Sequence, residues 1–461
     1  MSNIVNYNIS VQQAPAPSAL LQTGAIVSVG ATTLTPYVAG TAGVVLGNNA
    51  QGSAFLTNAA ALAALLAASK SISTMTWASG TVTVTTATPH GLLSSEANIL
   101  LTLSGNTVTG GTAPAGYNGT FPCTVTGTST FTYPYASNPG TLVTGGTMLI
   151  ADEAQLQNQV NEYFTQAGGA QSSPVGIYVL ELGDVNPSDG IALLNSFRAN
   201  NPNLIYTFLL PNEWASDLAA ATAFASMISA TSTPNGQVYF YFNISNTTNL
   251  WTGKKSAVVC KNSPNSSGTE SLAAALMAIL LNYSPSLIHR VPQAAYSFLY
   301  GCTVYPSNSI DMAAMEANNI NYAASGAEGG LSNVILKKGE YSDGNQLNYW
   351  YAIDWCDING HIDLANAIIN GSNNTLNPLY YTQQGINTLT AVLQRTVNRG
   401  VSFGLIGGAP VVNAIPYTTY TQANPNDYSQ GIYNGLSVTF ATQTGFLTIS
   451  FSVVIATNTA Q

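Results

Sequence analysis

The stretch from Tyr351 to Gly408 reads YAIDWCDINGHIDLANAIING (351–371), SNNTLNPLYYTQQ (372–384), GINTLTAVLQRTVNRG (385–400) and VSFGLIGG (401–408). In the first piece Trp355, Ile358, Ile362, Ala365 and Ile369 recur at steps of three and four, so they share one face of a helix. In the third, Ile386, Leu389, Val392, Leu393 and Val397 repeat the pattern, and Arg399 and Gly400 stand where helices stop. The spacing predicts two consecutive amphipathic helices whose apolar residues Trp355, Ile358, Ile362, Ile386, Leu389 and Val397 form a core. The run VSFGLIGG then reads as a short buried strand.

Around that fragment lie 461 residues, enough for two to four domains with substantial cores. The hydrophobic fraction of 46 % supports folding, but only 6 % of residues are charged, about a quarter of the ordinary level. Low surface charge removes the repulsion and desolvation cost that oppose dense packing of subunits, which favours life in an assembly. A secreted β-rich protein is the alternative that the same composition allows. Ten Lys and Arg against a net charge of −9 leave no basic stripe for phosphates, so direct nucleic-acid binding is not expected. No apolar run approaches the roughly 20 residues that span a bilayer, and the first Lys is Lys70, so neither a membrane role nor a classical signal peptide is expected. Cys123, Cys260, Cys302 and Cys356 are scattered without CxxC spacing and read as free, buried thiols of a reducing cytoplasm.

Taken in order, the chain predicts an α/β (α+β) multi-domain fold: mixed sheets with flanking helices, an inserted all-β sandwich, and extended terminal strand arms. Residues 1–24 form an N-terminal arm, in which Ile4, Tyr7, Ile9 and Val11 belong to an alternating strand held off by Gln-Gln-Ala-Pro-Ala-Pro. Residues 25–71 and 148–290 form an α/β body. GAIVSVG, AGVVLGN, VGIYVLEL, NLIYTFLLP, QVYFYFNI and SAVVCK are its strands, separated by helices from Ser188, Asp217 and Thr269. Residues 72–147 turn Thr/Gly/Val-rich with runs such as TVTVTTA and NILLTLSG, the pattern of a surface-exposed β-sandwich inserted into the body. Residues 291–444 are a C-terminal core domain. Residues 445–461 are an arm strand with Leu447, Ile449, Phe451 and Val453 on one face.

Chemistry is hard to find. In TTNLWTGKKSA, Thr248 stands for the first glycine of a phosphate loop and Lys255 for its Ser/Thr, so two required positions fail. GLIGGA is not GxGxxG. The densest polar cluster, Asp354, Cys356, Asp357, His361 and Asp363, would place Trp355 and Asn366 at the first and last positions of a calcium loop, where carboxylates are needed. Cys356 and His361 are five apart, a poor spacing for one helix face. Capping and a polar outer face account better for these residues. Of three histidines, His90 reads as a loop residue, and no GxSxG occurs. Glu181 and Asp184 at a strand end are mild glycosidase candidates, weaker than a cap. The pairs Lys254-Lys255 and Lys337-Lys338 could meet acidic patches, although solvated loops are the commoner outcome. The sequence thus predicts no enzyme, no cofactor and no metal.

A resemblance adds to this. The Tyr351–Trp355 aromatic-Asp-Trp helix, the Tyr381-Thr382-x-x-Gly385-Ile386 start of the second helix and the strand beginning past a Gly resemble the C-terminal region of contractile phage tail sheath proteins. The opening LLQTGAIVSVGATTL and the ending YNGLSVTFATQTGFLTISFSVVI resemble the two ends of that family, while the middle matches in outline. Within the insertion, TPHGL, GYNGTF and TFTYPYASNPGTLVTGGT resemble a β module that recurs in phage virion proteins. The resemblance implies a structural virion protein assembled in the host cytoplasm. Such a subunit polymerises around an inner tail tube, as six-fold rings stacked helically, and contracts to drive the tube through the host envelope. It implies partners in other copies of the chain, the tube protein, and baseplate and terminator proteins, with terminal arms exchanged between neighbours. The alternative is a carbohydrate-binding or depolymerising surface protein, for which the β insertion and 24 Tyr are the support.

Overall fold

The computed structural model describes residues 19–29, 34, 36–39, 53–65, 69–92, 97–166, 175–183, 185–201, 204–229, 238–283, 294–307, 309–326 and 333–445. The expected arm strands around Ile4–Val11 and Leu447–Val453, and the expected strand AGVVLGN, lie outside them. The protein combines helices with several sheets and divides into two compact units, one built from residues 23–282 and 292–348 and one from 349–443.

Near-continuous apolar runs cannot have a wet face, and here they make a sheet covered on both sides. Six parallel strands run Ile320–Ser325, Ala257–Lys261, Tyr239–Ile244, Thr207–Leu209, Gly24–Ser28, Ile177–Glu181 across the sheet. Antiparallel strands Val334–Lys337 and Ser53–Leu56 close its two edges. Strands Gly24–Ser28 and Tyr239–Ile244 are buried along their whole length. One face packs Phe240 and Phe242 against Phe224, Trp214 and Trp251 in a core shared with helices Pro187–Asn200, Leu218–Ser229 and Ser309–Ala317. Helices Ala151–Thr165 and Leu272–Leu281 pack together on the sheet's other side. In open parallel sheets ligands sit where the strand order reverses, here between Gly24–Ser28 and Thr207–Leu209. The residues that follow the strands there, Val29 and Leu210, are buried together with Trp214 in that core.

Two expectations need correction. The sequence assigns 291–444 to a second body, yet Ile320–Ser325 and Val334–Lys337 belong to the large sheet. The reason is that edge strands are short and mixed in polarity, so Val334–Lys337 and Ser53–Leu56 carry little periodic signal. The second correction concerns the insertion. Strands Lys70–Ala78, Thr81–Thr86, Ala97–Ser104, Gly119–Gly127, Thr130–Pro134 and Thr147–Ile150 form a closed barrel rather than a two-sheet sandwich. Closure comes from Thr147–Ile150, which pairs with Lys70–Ala78 on one side and Ala97–Ser104 on the other. Alternation sends Val82, Val84, Leu101, Leu103, Phe131 and Tyr133 inward in either architecture, so periodicity does not distinguish them. Ile150 ends the barrel and serves as N-cap of helix Ala151–Thr165, so the barrel is joined to the sheet layers with no linker on that side.

Among the described residues, no helix is long and apolar enough to cross a membrane.

Candidate functional site

The C-terminal unit contains the predicted helix pair, as Leu347–Ser372 and Gln383–Ser402. The second begins where Thr382 accepts a hydrogen bond from the Gly385 amide at 3.2 Å, an N-cap that satisfies one orphan donor. The helices meet around Trp355, whose ring stands edge-on to Phe403 at 5.7 Å. A Cβ at Gly400 would lie 2.7 Å from Ile406 Cδ1 and 3.1 Å from the Trp355 ring, so this close approach requires glycine. Asp363 reaches from the first helix to Arg399 on the second and accepts from Thr396 Oγ1 at 2.5 Å. Trp355, Ile386, Val392, Leu393 and Val397 are buried, while Ile358, Ile362 and Leu389 are half-buried. Ile369, expected on the buried face, is 59 % exposed, and Leu376 in the following loop is 95 % exposed. The helical period carries past the point where the second helix ends its contact.

Of the strand predicted in VSFGLIGG only Ile406–Gly408 is strand, because Val401 and Ser402 still belong to the second helix, and the strand is wetter than expected. It runs Ile406–Ala414 and pairs antiparallel with Leu436–Thr442, with a bulge between Gly407 and Val411. Two short helices, Tyr417–Ala423 and Pro425–Gln430, connect them. A cluster of tyrosines staples this connection to the helix pair. Tyr381 packs against Tyr417, Tyr428 and Tyr433, Tyr381 Oη donates to the Ile432 carbonyl at 2.9 Å, and Tyr420 Oη donates to Asp427 at 2.6 Å.

Among the described residues this is a sheet of two strands only, so each strand has one outer edge with no ladder partner. Such an edge presents a row of backbone N–H and C=O groups to any added strand, and an isolated two-stranded ribbon is marginal in water. Side chains alternate along it: Leu436, Val438 and Phe440 are half-buried, while Ser437, Thr439 and Ala441 are exposed. Leu364, Ile368, Leu379, Leu389, Leu436 and Val438 help line a groove of about 480 Å³ beside the Leu436–Thr442 strand. A polar groove of about 590 Å³ lies between the helices, lined by Asp363, Asn366, Asn370, Arg395, Asn398 and Arg399. The arrangement offers hydrogen-bonding edges and apolar contact. It offers no nucleophile with an adjacent base.

The other sequence candidates are dispersed. Asp354 and Cys356 are buried, Asp357 and His361 are exposed, and Asp363 is engaged by Arg399. Burial pushes the Cys356 thiol up to about 11, far from a thiolate at neutral pH. Glu181 is buried and accepts from the Gly183 amide at 2.8 Å, a local cap. His90 is fully buried in the barrel region, where burial lowers its pKa and its Nδ1 accepts from the Leu92 amide at 3.1 Å. The TTNLWTGKK turn is pinned by Trp251, which stacks on Phe242 at 4.0 Å. Lys338 pairs with Glu340 at 2.8 Å, and Lys337 lies over the Tyr296 ring. Asp184, His289 and the arm residues Ile4, Tyr7, Ile9, Val11, Leu447, Ile449, Phe451 and Val453 fall outside the described residues. Sequence reasoning missed the Asp363–Arg399 tie because the two residues are 36 apart, and it missed the tyrosine staple because its members come from three separate segments. Against models of known protein families and against curated proteins, the chain finds no match.

Proposed function

We propose that this chain is a non-enzymatic structural subunit that polymerises by accepting strands from neighbouring copies, in the manner of a contractile phage tail sheath. The observation that carries the proposal is the two-stranded sheet Ile406–Ala414 with Leu436–Thr442, open on both edges among the described residues. Two alternating terminal segments, Ile4–Val11 and Leu447–Val453, supply strands of matching character. A charged fraction of 6 % suits a surface that spends its life against other copies. In this reading the copies build rings stacked around an inner tube, in a virion tail assembled in the host cytoplasm. Contraction slides them without detachment because backbone ladders survive rigid-body rotation.

Negative-stain microscopy and sedimentation of the purified chain provide the test. Tubes or long helical polymers are expected. A compact trimer with glycan affinity would favour a surface carbohydrate-binding protein instead, and a small oligomer with turnover would favour an enzyme.

The barrel is expected to be dispensable for this assembly. Its six strands close on themselves and fill their own core, and the accompanying pair Thr107–Thr109 with Thr141–Thr144 has edges of only 3 and 4 residues, so it needs little from a neighbour. Replacing residues 70–149 by a short Gly/Ser linker should leave polymers of unchanged inner diameter under the microscope. A variant that folds but stays monomeric would make the barrel an assembly element.

A further inference from the structure

The helix that leaves the barrel, Ala151–Thr165, carries a buried carboxyl group near its far end. Glu162 is 6 % exposed. Its Oε1 accepts from Gln166 Nε2 at 2.8 Å and from the Cys302 thiol at 3.4 Å. Gln166 continues the tie across the gap, donating to the Tyr300 carbonyl at 2.6 Å and accepting from the Tyr300 amide at 3.1 Å. Between them Gly301 sits at φ +78°, and a Cβ there would lie 3.3 Å from Glu162 Oε1. The Tyr300–Thr303 backbone is therefore pressed directly onto the carboxyl group.

The charge environment is one-sided. The elements packed along this helix are Leu272–Leu281, Ala59–Leu65, Gly24–Ser28, Thr147–Ile150 and Ala97–Ser104, and none of them contains a titratable side chain. The titratable groups that face Glu162 are the Cys302 thiol and the Glu270 carboxylate, with Cys260 behind Cys302. Glu270 holds the same segment from the other side, accepting from the Thr303 amide at 2.7 Å. No salt bridge reaches Glu162 among the described residues. Burial pushes the Cys302 thiol well up, so it stays a donor.

We propose that Glu162 is a proton-operated latch, which when neutral fastens the end of the barrel-bearing helix to Tyr300–Thr303 and when ionised loosens it. Burial first, helped by the Glu270 charge and only partly offset by the Cys302 and Gln166 hydrogen bonds, pushes the Glu162 carboxyl up to about 7. A raised acid is neutral in the closed form while the opened, solvated form already ionises near the ordinary carboxylate value. Closure is thus fully favourable below about pH 4.5, weakens as pH rises between about 4.5 and 7, and loses no more above that window.

The test is mass-spectrometric alkylation of the four buried cysteines in the full-length chain from pH 5.5 to 8. Cys302 is read as a ratio to Cys123, which sits in the barrel core and shares the thiol's intrinsic pH dependence. By linkage the ratio should rise on the order of tenfold across this range in the wild type and stay flat in Glu162→Gln, which is neutral at every pH. Equal pH profiles in the two chains, or a flat profile in the wild type, would overturn the latch. Should Glu162→Gln fail to fold, hydrogen exchange of the wild type decides. The Tyr300 and Thr303 amides should exchange with a steeper pH dependence than barrel amides, and parallel slopes would overturn it.

Discussion

Removing residues 1–13, or residues 446–461, is expected to abolish polymerisation while leaving both compact units folded. The Ile406–Ala414 and Leu436–Thr442 strands pair with each other on one side and, among the described residues, with no strand on the other. A donated strand of about ten residues would add several main-chain hydrogen bonds at roughly 0.5–1.5 kcal/mol each, together with apolar contact for alternate side chains. That gain is of the size needed to hold neighbours together, and nothing else among the described residues presents an unpaired backbone edge of this length within the C-terminal unit. The outer side of Val334–Lys337 already exchanges backbone hydrogen bonds with Tyr296–Leu299, the Ser53–Leu56 edge is only 4 residues long and the six-stranded barrel is closed, so none of them offers the arm a comparable edge. Ile449→Pro should act like the deletion, since it removes a ladder donor from the middle of the arm. Circular dichroism with sedimentation velocity reads both halves of the expectation. A truncated chain that still forms polymers refutes strand exchange, and one that loses its secondary structure shows that the segment completes its own subunit's core.

The parts that the sequence announced are those in which one physical rule dominates. The strands Ile177–Glu181, Tyr239–Ile244 and Ala257–Lys261 were legible because burial on both faces demands continuous apolar runs. The helix pair was legible because the apolar spacing holds one period along each segment, although the second helix runs on through Gly400 to Ser402. The edge strands Ser53–Leu56 and Val334–Lys337 were not, because strands this short are set by the neighbours they pair with. The closed barrel looked like a sandwich because closure is a property of register between distant strands, here Thr147–Ile150 against Ala97–Ser104. The candidate surface was half legible. The start of one strand, Ile406–Gly408, fell in a run read as a strand and Leu436–Thr442 did not, while their pairing across residues 415–435 and their edges appear only in three dimensions. The Glu162 contacts left no local trace, since Glu162 and Cys302 are 140 residues apart.

Trp355→Ala is expected to cost about 3–5 kcal/mol in the C-terminal unit, the range for emptying a well-packed aromatic site. Trp355 is 1 % exposed, touches Phe403 edge-on, and fills the space that Gly400 leaves open beside Ile406. Its neighbours cannot readily collapse into the void, because Asp363 ties the helices to each other through Arg399 and Thr396 farther along. Ile362 shares the predicted helix face, yet it is only half-buried, and Ile362→Ala should cost less than about 2 kcal/mol because part of its side chain is already in water. Denaturant titration of both variants, followed by far-ultraviolet circular dichroism, checks the ordering. Equal losses for the two would mean that Ile362 is covered in the working protein, and a negligible loss for Trp355→Ala would mean that the helices are not packed through this ring. The difference matters for assembly because the Ile406–Ala414 strand begins at Ile406, directly against Gly400. If Trp355 loosens, the edge proposed to accept a neighbour's strand loses its footing, and on that proposal the variant should polymerise poorly at temperatures where it is still folded.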